Sequence, residues 1–219
     1  MTVACGLLLC AASLARAQGA VSGRVGIVER PGETTSDFTN AVIYLVPKSG
    51  AARTAETKAQ MALNGRQFSP RVRVVTTGSS VEYPNQDPFS HNVFSTAAGA
   101  SFDLGVYGSG TTKATQFRKP GAYPVYCNIH EKMTAYVVVV NTPYYAQAAA
   151  DGRWSVARVP AGKYELHLWH ERAIEVVKEV DVPPSGLPDV DQKLDATGYK
   201  QVAHKDKFGK DYVVGATRY

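Results

Sequence analysis

Cysteine is scarce in this chain, and what there is sits unevenly. Of three cysteines in 219 residues, Cys5 and Cys10 fall near the start, and Cys127 stands alone in the rest. A lone cysteine closes no internal disulfide, so Cys127 is buried and inert, joined to another molecule, or bound to something. Methionine is equally sparse, with only Met61 and Met133 beyond the initiator. No apolar run approaches the roughly 20 residues that a membrane-spanning helix needs, which excludes a helical span. Clusters of about five to eight Lys and Arg residues, the kind that follow phosphates, are missing too. The 24 basic and 19 acidic residues leave a thin charge of +5, so nucleic acid is not an expected partner. Few stretches carry helical periodicity over three turns, whereas 19 glycines and 12 prolines supply many turns. The expected fold class is all-β.

The first residues differ from the remainder. Residues 3–15 are apolar apart from Ser13, and Ala15-Arg16-Ala17 before Gln18 forms a small-x-small cleavage pattern. Residues 1–17 therefore read as a secretory signal cut near Ala17, which implies a periplasmic or secreted protein. The positively charged front end of such a signal is absent, since only Met1 and Thr2 precede the apolar stretch. Leu9 stands where a lipidated cysteine at position 10 would normally have a small neighbour, so a lipoprotein is not favoured.

Beyond position 17 the pattern is one of short strands. Residues 21–28 alternate loosely around Gly23 and Gly26, and residues 40–46 form a β-branched run closed by Pro47. Residues 49–58 are small and polar, a linker. Further strands are expected at 71–77, 81–83, 102–107, 114–117 and 123–126, with a polar loop at 85–90. Residues 134–140 include four consecutive valines, the mark of a strand buried on both faces. Asp151-Gly152 reads as a hairpin turn between residues 144–145 and 154–156, and Pro160-Ala161-Gly162 precedes a strand at 164–169.

Chemistry concentrates around Cys127. Cys127-x-x-His130-x-x-Met133 places a thiol, an imidazole and a thioether on one short loop between two expected strands. His91, at a loop-to-strand junction after Asp87-Pro88-Phe89-Ser90, offers a second imidazole from elsewhere in the fold. Two imidazoles and a thiolate in a plane, with a weak axial methionine sulfur, make the blue-copper electron-transfer site. Thiolate and thioether favour Cu(I) while imidazole suits Cu(II), so such a set changes little on electron transfer. Each residue alone has a blander reading: Cys127 as a buried thiol, His91 as a loop residue, Met133 as core. Zinc would accept the cysteine and histidines but is poorly served by methionine. Haem attachment needs Cys-x-x-Cys-His, a dinuclear copper centre needs a second cysteine, and multicopper oxidases need His-x-His pairs; this chain has none of these beyond residue 17.

Phe68-x-Pro70, the turn at 78–81, Asn85-x-Asp87, His91-Asn92, Gly121-x-Tyr123 and the Cys127 loop follow one another as in plastocyanin-like cupredoxins, and the short ligand loop resembles that of amicyanin. The resemblance covers residues 59–141. It implies a Greek-key β-sandwich holding one type 1 copper ion through His91, Cys127, His130 and Met133. It also implies that Asn92 ties the two ligand loops together and that the His130 ring edge is the electron port. Ala135, where many relatives have glycine, is a departure that touches loop packing only.

Residues 18–58 and 142–185 resemble the opening and closing parts of a carboxypeptidase-regulatory-like β-sandwich. The copper module would then be inserted in a second small sandwich, with residues 186–219 as an extended tail on its surface. A rival arrangement makes residues 21–46 an added edge hairpin of the cupredoxin itself. The whole order resembles the plastocyanin-like proteins labelled methylamine-utilisation proteins. His167 and His170 lie three apart, on opposite faces of a strand, and are expected to be structural; Glu131 and Lys132 read as a solvated rim. The expectation is thus an exported one-electron carrier, not an enzyme, exchanging electrons with a cytochrome, dehydrogenase or oxidase docked near His130. The alternatives are a copper-storage or structural metal-binding module and a zinc-bound adhesion or carbohydrate-binding sandwich.

Overall fold

The computed structural model describes residues 18–50, 52–98 and 101–212, so the expected export signal lies outside the described residues. Two strands come first, β1 (Gln18–Val28) and β2 (Val42–Pro47). Ten short strands follow: β3 (Lys58–Gln60), β4 (Ala62–Asn64), β5 (Gln67–Ser69), β6 (Val72–Thr76), β7 (Ser80–Pro84), β8 (His91–Ser95), β9 (Phe102–Tyr107), β10 (Thr112–Gln116), β11 (Gly121–Tyr126) and β12 (Thr134–Val140). The last five are β13 (Tyr145–Gln147), β14 (Arg153–Pro160), β15 (Gly162–Trp169), β16 (Val176–Val182) and β17 (Gln192–Asp195). Among the described residues no helix is long and apolar enough to cross a membrane. The all-β expectation holds.

The middle strands close on themselves. A five-stranded sheet in the order β6-β12-β11-β8-β9 and a three-stranded sheet β10-β7-β3 bury one core between them, capped by the β4-β5 ribbon. Met61, Leu63, Val81, Val93, Val125, Val137 and Val139 fill that core. The two flanks also share sheets. The first is β14-β1-β17, and the second is β13-β2-β15-β16. In β15, Tyr164, Leu166 and Leu168 alternate inward and meet Val21, Val25, Ile43, Leu45 and Trp154 in a separate core. Burying each such side chain is worth about 1.5–3 kcal/mol. No strand of this pair of sheets belongs to a sheet of the middle segment.

The reading of residues 134–140 as a strand buried on both faces is met, and the reason is the second unit. Val137 and Val139 face the middle core, while Val138 and Val140 face the other way and pack with Val42 and Val72, flanked by Tyr44, Tyr136, Tyr145 and Trp169. The seam is pinned by Arg71, which donates to both oxygens of Glu171 (2.6 and 2.8 Å) and to the carbonyl of Thr134 (3.0 Å).

Two local expectations fail. The Asp151-Gly152 turn, with Gly152 at φ 82°, does not join paired strands. It carries the chain from β13 in one sheet to β14 in the other. Local turn chemistry gives the reversal but not the partner. The stretch after residue 186, expected to lie on the surface as an extended tail, first supplies β17, which pairs in parallel with β1 from Val25↔Gln192 to Val28↔Asp195. Gly23 permits this: a Cβ there would collide with the backbone of Val190.

Candidate metal centre

His91, Cys127, His130 and Met133 meet at one end of the middle sandwich. His91 opens β8, and its partner strand β9 places Tyr107 opposite. Cys127 follows the last residue of β11, and Met133 precedes the first of β12, so the pairing Tyr126↔Thr134 closes the ligand loop at its base. Inside it, Cys127 N–H donates to the Met133 carbonyl (3.2 Å) and Met133 N–H to the His130 carbonyl (3.0 Å). These bonds fold seven residues so tightly that three donor side chains turn to one side.

The geometry suits a bound ion. Cys127 Sγ lies 3.7 Å from His91 Nδ1 and 3.6 Å from His130 Nδ1, and the three donor atoms lie within 4.8 Å of one another. Metal–sulfur and metal–imidazole bonds of about 2.3 and 2.0 Å, opened at about 120°, set sulfur and nitrogen about 3.7 Å apart. Met133, 1% exposed, shares the core of Cys127 and brings the soft thioether that suits copper and serves zinc poorly. The four residues fit a type 1 copper site.

The surroundings prepare each donor. Burial pushes the Cys127 thiol up, and the backbone N–H groups of Asn92, Ile129 and His130, all aimed at its sulfur, oppose that. They are donors for a thiolate. Burial holds the His130 imidazole below its usual range, with help from nearby His91 and Arg66, which keeps it in the neutral, ligating form. Asp87 accepts His91 Nε2–H at 2.7 Å and also the amides of Gly65 (2.7 Å) and Arg66 (2.9 Å). Burial alone would raise the Asp87 carboxyl, but the hydrogen bonds from Arg66, His91 and Gly65 keep it below the usual range. An ionised acceptor fixes the proton on Nε2 and leaves the Nδ1 lone pair facing the sulfur. Phe89 lies edge-on to His91, with ring centroids 5.3 Å apart, and tilted against His130 at 5.6 Å. His91 and Cys127 are fully buried; His130 is half-buried.

The role expected of Asn92 takes a different form. Its backbone amide reaches the sulfur of the other loop, while its side chain donates to Asp103 (2.6 Å) instead. Asp87 and Phe89 carry the sequence pattern but were assigned no role from it, although Asp87 stands four residues before His91, close enough for a loop carboxylate to reach the ring. His167 and His170 form no joint site: His167 stacks on Tyr44 and bonds Glu175 (3.1 Å), and buried His170 bonds the Asp37 carbonyl (3.3 Å).

Residues 55–141 match the family model of copper binding proteins of the plastocyanin/azurin family, starting four residues before the expected boundary. That match spans the segment that carries all four donors. Among solved structures, a purple cupredoxin from Nitrosopumilus maritimus is 23% identical, covering 37% of this chain and 99% of its own, with a TM-score of 0.34. A reduced amicyanin mutant is 21% identical over 45% of this chain and 98% of its own (TM-score 0.37). A copper-containing nitrite reductase from Thermus scotoductus SA-01 is 23% identical over 52% of this chain and 28% of its own (TM-score 0.36). No curated protein matches significantly.

Proposed function

We propose that this protein is an exported one-electron carrier in which His91, Cys127 and His130 hold copper and Met133 tunes it. The observation that carries this reading is the convergence of a lone thiol and two imidazoles at one end of the sandwich, with the Met133 thioether in the same core and one imidazole half-buried. Copper bound there supplies a Cu(II)/Cu(I) couple held between the preferences of its two states. The chain's own part is to keep the donors in place. Asp87 orients His91, three amides support the sulfur, and the Cys127–Met133 backbone bonds resist any change of loop shape, so little rearrangement accompanies each transfer.

Access favours His130 as the port, because the other imidazole and the sulfur are buried. The depression beside it is lined by Arg66, Arg71, Lys132 and Glu131, with Arg71 already paired to Glu171. Arg66 and Lys132 leave a mildly basic rim that suits a redox protein with an acidic docking face. The domain division we propose is a cupredoxin module of residues 59–141 between two halves of a regulatory-like sandwich, and the methylamine-utilisation group remains our choice of subgroup. Export rests on the reading of residues 1–17.

The test is copper loading. Cu(II) added to the metal-free protein should give intense absorption at roughly 600 nm from thiolate-to-copper charge transfer, reversible on reduction and lost in Cys127→Ser. A colourless copper-loaded protein refutes the blue-copper reading, and a blue protein that does not cycle refutes the carrier.

A further inference from the structure

The segment after β17 returns to the metal centre. Residues 204–212 form an organised loop in which Asp206 caps the amides of Phe208 (2.9 Å) and Lys210 (2.8 Å) and exchanges backbone bonds with Gly209 and Lys210. From it the Tyr212 hydroxyl donates to the Cys127 carbonyl at 2.8 Å, and the Lys207 amide donates to Asn128 Oδ1 at 2.8 Å. Both anchors fall on consecutive residues of the ligand loop. Lys207 Nζ reaches Asp103 at 2.6 Å, and the other oxygen of Asp103 accepts Asn92 Nδ2, also at 2.6 Å. His204 stacks on Tyr126, the residue before Cys127, with centroids 4.4 Å apart and planes at 20°, and meets Tyr212 edge-on at 5.2 Å.

The pinned groups are those that carry the sulfur's hydrogen bonds. Ile129 N–H points at Sγ (3.4 Å), and the amides of His130 and Asn92 lie close enough to favour its thiolate form. Ile129 and His130 follow directly on the residues gripped by Tyr212 and Lys207. Asn92 is gripped through Asp103. The Ile129 amide that meets the sulfur, and the neighbouring amides of His130 and Asn92, therefore sit in backbone that this one distant segment restrains.

We propose that residues 204–212 are a strap across the ligand loops, and that Tyr212, Lys207 and His204 are positioning residues for the Cys127 sulfur. The proposal rests on the copper reading for its consequence but not for its mechanics. With the strap in place, the amides stay aimed at the sulfur and stabilise its charge. When it loosens, the loop opens more often and the sulfur loses those donors, which strengthens its donation to Cu(II) and lowers the reduction potential.

The experiment uses the full chain as wild type, Tyr212→Phe, and Tyr212→Phe with Lys207→Met. The phenylalanine keeps the ring and removes only the hydroxyl. In metal-free protein, Cys127 is fully buried, so its rate of reaction with an aromatic disulfide reports opening of the loop. We expect the rate to rise about fivefold in Tyr212→Phe, the worth of one neutral hydrogen bond, and at least about tenfold in the double variant, with the urea midpoint moving much less than either rate requires. In the copper(II) form, the charge-transfer band should shift and the potential should fall in the same order. Unchanged thiol reactivity, or reactivity that rises only in step with global unfolding, overturns the strap. If the wild type takes up no copper as a blue centre, the function proposed above fails, while the thiol kinetics still decide the strap.

Discussion

Asp87→Asn is the sharpest probe of how the site is held. Oδ2 accepts both His91 Nε2–H (2.7 Å) and Arg66 N–H (2.9 Å), and Oδ1 accepts Gly65 N–H (2.7 Å). Asparagine can keep only one of these oxygens. With its oxygen toward His91, the amide nitrogen confronts the Gly65 donor, which loses one hydrogen bond at about 0.5–1.5 kcal/mol net, since Gly65 is exposed and water can take the place of the lost acceptor. With the amide reversed, two donors face the nitrogen instead, and the cost is higher. Either way the negative charge that fixes the His91 proton on Nε2 is gone. Removing such a partner of a ligating histidine typically costs about 10- to 100-fold in metal affinity, or about 1.4–2.7 kcal/mol at 1.36 kcal/mol per decade. Competition against a chelator for Cu(II) measures the affinity, and urea unfolding of the metal-free protein measures the loop cost separately. Affinity within about twofold of wild type, with stability reduced, would show that Asp87 braces the Gly65-Arg66 turn and does not orient His91.

Met133→Leu should retain copper, raise the potential by removing support for Cu(II), and change stability by less than about 1.5 kcal/mol, since the swap conserves volume; an unchanged or lowered potential in voltammetry would make Met133 mere packing. Arg71→Met should cost about 2–3 kcal/mol in chemical unfolding, because Glu171 (side chain 2% exposed) is left with Asn40 alone, and because partial exposure of Arg71 (38%) lowers the usual cost of breaking a buried pair. A loss under about 1 kcal/mol would show the seam is held by Val72, Val138 and Val140 instead. The hydrogen bonds of Arg172 to Glu29 (2.8 Å each) draw that carboxyl from 4.5 down to about 2, against the opposing effect of burial. As the folded value is depressed, this stabilisation is complete above about pH 4.5 and is lost as pH falls through about 2. Unfolding free energies measured across that window should slope less in Arg172→Met, and an equal slope refutes the pairing.

How much was legible follows from how far apart the interacting groups lie in the chain. Cys127, His130 and Met133 were readable because three donors within one short loop must converge once two paired strands close it, and Tyr126↔Thr134 closes it. The valines of residues 134–140 announced a strand with two buried faces, since alternation fails when both sides meet core. What lay against the second face was not written there: Val42 and Trp169 reach it from the two flanks through tertiary packing. Asp151-Gly152 specified a reversal and left its partners open, because a turn sets local dihedrals and not which sheet the next strand joins. The residues after 186 showed no pattern at all, yet they supply β17 and then Tyr212, 85 positions from the carbonyl it grips. A hydrogen bond across such a separation has no period and no spacing, so the donor set belongs to the sequence, whereas its grip by Tyr212 and Lys207 exists only in the tertiary structure.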